Sequence, residues 1–242
     1  MRDYLLDIIK HTLPLNAFSQ LKVQTQDGVS KITATEGERA VVLMAKTHTA
    51  IPEFADTFGI PNLNLMNTLL NIPEYDDTAS ITVQTKDDGE NKIPFNIHFK
   101  NAAGDFKNDF RLMSRKIIES LEPELSMNVR QWPVKFVPGS GAVQRLKYQS
   151  TAHPEERVVE FTVKDGKILA SVGDASSHSG NFVFHDGIDE NANYTIVVPI
   201  HYVMGILNMV GDKTMQAGDL GLMISVDSGL VNYDYVIPMV TK

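Results

Sequence analysis

The chain repeats itself. Asp27-Gly28 returns as Asp165-Gly166, an offset of 138 (165 − 27). The stretch Leu65-Met66-Asn67-Thr68-Leu69-Leu70-Asn71-Ile72 is echoed by Val203-Met204-Gly205-Ile206-Leu207-Asn208-Met209-Val210 at the same displacement, and Asp87-Asp88-Gly89 returns as Asp227-Ser228-Gly229, displaced by 140. Identity between the copies is slight, so the order and spacing of elements are what repeat. At 242 residues this pattern favours two domains of ordinary size over one large domain. Two alike units, each with strands and a polar-faced helix, are one short step from a symmetric ring.

Strict alternation marks four hairpins. Leu21 and Val23 lead through Asp27-Gly28 to Ile32 and Ala34. Ile81 and Val83 lead through Asp87-Asp88-Gly89 to Ile93, Phe95, Ile97 and Phe99. In the second half Val159, Phe161 and Val163 turn at Asp165-Gly166, and Leu220 to Val226 turn at Asp227-Ser228-Gly229. Glycine supplies the positive φ that such tight turns need. Helices are expected over 3–13, over 62–71 with Pro61 in its first turn, over 139–151 and over 200–210. Antiparallel hairpins dominate and no βαβ alternation occurs, so the expected class is α+β. Residues 101–132 break the repeat, with an amphipathic helix expected over 109–121 on Phe110, Met113, Ile117 and Leu121. The expected domains are therefore 1–105 and 132–242, joined by a connector over 106–131.

The formal charge of −8 alone argues against nucleic acid, since phosphate repels an acidic surface. Its distribution reverses that reading. Segments 61–72, 138–151 and 199–211 contain no Asp or Glu, in a chain with 30 of them. All three are expected helices, so most of the acid is left to strands and loops. No apolar run approaches the roughly 18 to 20 residues of a membrane span. Met1 to Asp7 carries two carboxylates before any apolar stretch and does not read as a signal peptide. Zero cysteines exclude disulfides and thiol chemistry and fit a reducing cytoplasm.

No catalytic constellation, metal-ligand spacing or cofactor motif is found, and none is expected. The seven histidines lack the His-Glu-x-x-His spacing. Pro138-Gly139-Ser140-Gly141 follows an apolar stretch and opens a helix like a truncated dinucleotide fingerprint, but Gln144 stands where its third glycine belongs. The positive charges carry more. Lys10 and His11 end the first helix, and Arg145 and Lys147 sit on its counterpart. A basic group at a helix C-terminus also offsets the helix dipole. These charges gain weight from the acid-free faces that accompany them: Asn62, Asn64, Asn67 and Asn71 on one helix, His201, Tyr202 and Asn208 on another. Such faces can lie near phosphates without reading bases. Asp3 and Asp7 count against the first helix.

Phe161-Thr162-Val163-Lys164-Asp165-Gly166-Lys167-Ile168, the helix 200–210 with Gly218-Asp219-Leu220 after it, and Tyr235-Val236-Ile237-Pro238 carry a family resemblance. The chain resembles a DNA polymerase sliding clamp of the T-even-like bacteriophage type, and more distantly proliferating cell nuclear antigen. That resemblance implies two domains of antiparallel sheets with helices on one face, closing as a homotrimer around duplex DNA. It implies a non-enzymatic processivity factor whose partners are DNA polymerase and a clamp loader, with Lys10, His11, Arg145 and Lys147 toward DNA. It also implies an apolar partner groove bordered by the connector and the last strand, for which Phe110, Met113, Tyr235, Ile237 and Pro238 are the candidates. The alternation of Tyr235 and Ile237 with Tyr233 and Met239 equally fits a core strand. Two rival readings stand beside the clamp: a nucleotide-binding enzyme using the Gly139–Gly141 turn, and a ring-forming structural protein without DNA.

Overall fold

The computed structural model describes residues 1–26, 28–88, 91–124, 132–174, 176, 178–218 and 220–240. Asp27, Gly89, Asp219 and residues 125–131 of the expected connector lie outside the described residues. The chain divides into two compact units. Unit 1 holds Met1–Gly37, Leu43–Ser126 and Ser228–Tyr233; unit 2 holds Glu38–Val42, Met127–Asp227 and Asp234–Lys242.

Unit 1 runs α1 (Arg2–Thr12), a 3-10 turn at Leu13–Leu15, β1 (Gln20–Gln26), β2 (Val29–Thr35), β3 (Val42–Thr47), β4 (Thr57–Pro61) and α2 (Leu63–Leu70). It continues with β5 (Ser80–Asp88), β6 (Asn91–Lys100), β7 (Lys107–Arg111) and α3 (Arg115–Leu121). The first four strands neighbour one another in the order β4-β1-β2-β3, and a separate sheet has the order β5-β6-β7. Alternation sends Leu21, Val23, Ile32 and Ala34 to one face, where all four are fully buried. The apolar stripes of α1 (Leu5, Ile8, Ile9) and α2 (Met66, Leu69, Leu70) are buried in the same unit.

Unit 2 runs β8 (Val134–Phe136), α4 (Ser140–Ala152), β9 (Val158–Lys164), β10 (Lys167–Gly173), β11 (Ser179–Asp186), β12 (Tyr194–Pro199), α5 (Ile200–Leu207), β13 (Asp212–Gly218), β14 (Gly221–Asp227) and β15 (Val231–Pro238), whose residues up to Tyr233 fall in unit 1. Its sheet β12-β9-β10-β11 reproduces the fourth-first-second-third order of unit 1, and β13, β14 and β15 form the second antiparallel run. The turn between β9 and β10 has Asp165 at φ 51° and Gly166 at φ 73°. Positive φ at both central residues is what a two-residue hairpin linking right-twisted strands demands.

Three local expectations need correction. Residues 109–121 are not one helix: Phe110 lies on β7, opposite Ile97 of β6, and α3 begins only at Arg115. The spacing of Phe110, Met113 and Ile117 fits a helical stripe, but pairing with β6 satisfies the backbone of 107–111 instead. Second, Pro61 ends β4 rather than opening α2. Asn62, at φ 44°, is the cap of α2, and its side-chain oxygen accepts from the Leu65 amide at 3.1 Å. Third, the helix in this segment is only the short α3, which packs on β4. Gly59 makes this possible, because a Cβ there would meet Ile118 side-chain carbons at 2.9 Å.

Candidate nucleic-acid interface

Within each unit the two longer helices pack together, α1 with α2 and α4 with α5. In unit 2, α4 turns Leu146 wholly inward and leaves Gln144, Arg145, Lys147 and Tyr148 exposed. Neither Arg145 nor Lys147 forms an ion pair with a carboxylate among the described residues. The helix itself carries no acid, so both charges remain available to an anion. On α5, His201 and Asn208 are exposed, whereas Tyr202 is buried and leaves the expected polar face. Burial lowers the His201 imidazole pKa, and the charge of Arg157 adds to the effect. Both effects favour the neutral imidazole.

In unit 1, Lys10 is exposed near the C-terminus of α1. His11 is not: at 3% exposure it belongs to the core. Its Nδ1 lies 2.8 Å from the Asp7 carbonyl oxygen, and its ring stacks on Tyr233 with centroids 4.5 Å apart. A phosphate contact by His11 is ruled out by this burial. The same cluster removes one objection to α1. Asp7 Oδ2 accepts from Tyr233 at 2.7 Å and from Ser228 at 2.8 Å, so that carboxylate is directed into unit 1. Burial pushes the Asp7 carboxyl up, but the hydrogen bonds from His11, Tyr233 and Ser228 outweigh it and hold the group below its ordinary range. Asp3 remains exposed on α1. On α2 the exposed polar groups are neutral: Thr68 donates to the Asn64 carbonyl at 2.9 Å, and Asn71 donates to the Asn67 side chain at 2.9 Å.

The expected partner residues divide sharply. Phe110, Tyr235 and Ile237 are at most 1% exposed and form core, as strand alternation dictates. They cannot anchor a docked peptide without unfolding their strands. Met113 and Pro238 are half-buried. Two other members of the expected helical stripe are exposed: Ile117 and Leu121 on α3, each 50%. Their i, i+4 spacing is visible in the sequence, but spacing does not say which face of the stripe points inward. Ile118, fully buried between them, decides it.

The Gly139–Gly141 turn lacks the features of a phosphate cradle. A Cβ at either glycine would meet nothing within 4 Å, so neither is demanded by close backbone approach. The strand before it, β8, pairs antiparallel with β13 rather than opening a parallel βαβ unit. Among the described residues no group of three or more His, Cys, Asp or Glu is placed to hold a metal ion, and no helix is long and apolar enough to cross a membrane.

No protein-family model matches the chain, and no curated protein matches it in sequence. Solved structures do match its fold along the full length. The PCNA of A. fulgidus, solved with the C-terminal region of FEN-1 bound, superposes with a TM-score of 0.72 at 11% identity, covering 100% of this chain and 96% of that one. PCNA from Thermococcus kodakaraensis gives 0.69 at 14% identity, covering 99% and 97%. With two units of like strand order, antiparallel sheets and few helices, the chain has the α+β fold of the PCNA-type DNA clamp.

Proposed function

We propose that this protein is a sliding clamp that encircles duplex DNA and tethers a replicative DNA polymerase, without sequence preference and without catalysis. The observation that carries the reading is the sorting of charge onto a duplicated PCNA-like fold. In a chain of net charge −8, α2, α4 and α5 contain no carboxylate, and Lys10, Arg145 and Lys147 are exposed on helices. An enclosing ring needs few phosphate bonds to stay on DNA, and weak, nonspecific bonds let it slide.

Three copies of two like units give a pseudo-sixfold ring. Free edges support such closure: β11 ends one sheet of unit 2, and β5 and β7 end the second sheet of unit 1. Continuing these sheets between copies removes exposed edges that otherwise invite aggregation. The clamp is assigned to the T-even-like bacteriophage type on the stretches quoted above, which implies a clamp loader as a second partner and the host cytoplasm as its location. Partner peptides would use the apolar surface of α3 (Ile117, Leu121) with Met113 in unit 1, and Pro238 on β15 of unit 2 is a separate candidate anchor. The A. fulgidus PCNA binds the C-terminal region of FEN-1, and a polymerase C-terminus is the corresponding ligand here.

The test is solution mass with projection imaging at high protein concentration, because clamps of this type dissociate when dilute. Three copies in an annulus with an open centre are expected. A stable monomer under those conditions would refute the proposal.

A further inference from the structure

Tyr148 is a large aromatic residue that stands 64% exposed on a surface helix. With 3.6 residues per turn, successive side chains on α4 are about 100° apart, so Tyr148 lies about 200° around from the buried Leu146. It occupies the crest of the outward face, between Arg145 on one flank and Lys147 on the other. Its neighbours on that crest are small or neutral: Gly141, Gln144, Thr151 and Ala152. Among the described residues its hydroxyl has no hydrogen-bond partner. No packing reason accounts for so large a ring pointing into solvent between two cations.

We propose that Tyr148 is the leading contact of α4 with DNA, its phenol hydroxyl donating a hydrogen bond to a backbone phosphate oxygen held between Arg145 and Lys147. This rests on the clamp reading above. Charge complementarity selects the partner, since α4 presents two unpaired cations and no acid. Tyrosine hydroxyls are regular phosphate donors, and a rigid ring with two rotatable bonds loses little entropy on contact. The chemistry also gives Tyr148 a distinct signature. A lysine or arginine contact releases counterions and makes affinity salt-dependent, whereas a neutral donor adds affinity with no counterion release.

The experiment titrates a short duplex DNA, followed by anisotropy at several low salt concentrations, against wild type, Tyr148→Phe and Arg145→Ala. Tyr148→Phe removes one oxygen atom from an exposed site, so its folding is expected to match wild type in a thermal melt. It should weaken binding roughly three- to tenfold at every salt concentration with the salt slope unchanged. Arg145→Ala should lower the slope by about 0.9, the value for one phosphate no longer neutralised. Duplex binding by Tyr148→Phe equal to wild type would overturn the inference while leaving the clamp reading intact, including the case where the ring stacks on unpaired bases of single-stranded DNA. Absence of duplex binding by wild type at the lowest salt would also overturn the inference, whereas the clamp reading is tested separately by retention on circular DNA.

Discussion

The hydroxyl of Tyr233 donates to Asp7 Oδ2 at 2.7 Å, joining residues 226 positions apart in the chain. Ser228 donates to the same oxygen at 2.8 Å, and His11 stacks on the Tyr233 ring. This cluster explains why Ser228–Tyr233 belongs to unit 1 and why His11 is core instead of interface. Replacing Asp7 with alanine removes the acceptor shared by Tyr233 and Ser228, though Ser228 keeps the Val231 carbonyl at 3.1 Å, and should cost about 1–3 kcal/mol in urea unfolding. Tyr233→Phe, which removes one donor, should cost about 1 kcal/mol.

The same cluster fixes a pH dependence. The Asp7 carboxyl is held below its ordinary value of 3.8, so the folded state binds its proton less readily than the unfolded chain. Its contribution is therefore complete above about pH 4 and is lost as pH falls through the lowered folded value. The stability difference between wild type and Asp7→Asn should shrink in acid unfolding below that window. A difference that stays constant to low pH would contradict the hydrogen-bonded assignment.

Glu122 behaves in the opposite sense. It is 3% exposed, and burial pushes its carboxyl above 4.5 despite hydrogen bonds from Gln20 and Thr35 and the charge of Lys22. The folded state holds this proton more tightly, so the Glu122 contribution to stability is greatest at low pH and falls as pH rises from about 4.5 through the raised value. Glu122→Gln keeps a side-chain acceptor for Gln20 and removes the buried charge. It should match wild type below about pH 4.5 and exceed it in stability at neutral pH.

Arg145 and Leu146 are adjacent in sequence and opposite in role. Arg145→Ala combined with Lys147→Ala should change unfolding stability by no more than about 0.5 kcal/mol while weakening DNA association and flattening its salt dependence. Leu146→Ala should cost about 2–5 kcal/mol of stability. Loss of folding in the charge variant with DNA association unchanged would assign those cations a structural role.

For partner docking, a peptide from the C-terminus of the cognate polymerase should bind wild type and lose at least about tenfold in affinity with Ile117→Asp or Pro238→Asp, consistent with a few anchors carrying most of the energy. Binding unchanged by both substitutions, with the assembly intact, would place the docking surface elsewhere.

Much of this fold is legible in the sequence because its signals are local. The alternation of Val159, Phe161 and Val163 and the Asp165-Gly166 turn specify β9 and β10 with no information from elsewhere in the chain. The short strands β3, β4 and β7 are less legible because their pairing partners define them. Phe110 is a strand residue only because β6 lies beside it. At the interface, residue type alone does not separate His11 from Lys10. Both end α1 with a basic group, and the difference lies in Tyr233, a partner more than two hundred positions away. Tyr148 escapes a sequence reading for the converse reason, since an aromatic residue in a helix reads as core until Leu146 is known to point the other way.

Topological enclosure of the duplex is read out by retention on DNA of different closure. Protein loaded by its cognate loader onto a nicked circular plasmid should stay bound through a high-salt wash and be released when a single restriction cut makes the plasmid linear. Equal retention on circular and linear plasmid, or salt-sensitive release from both, would contradict a clamp that encircles the duplex.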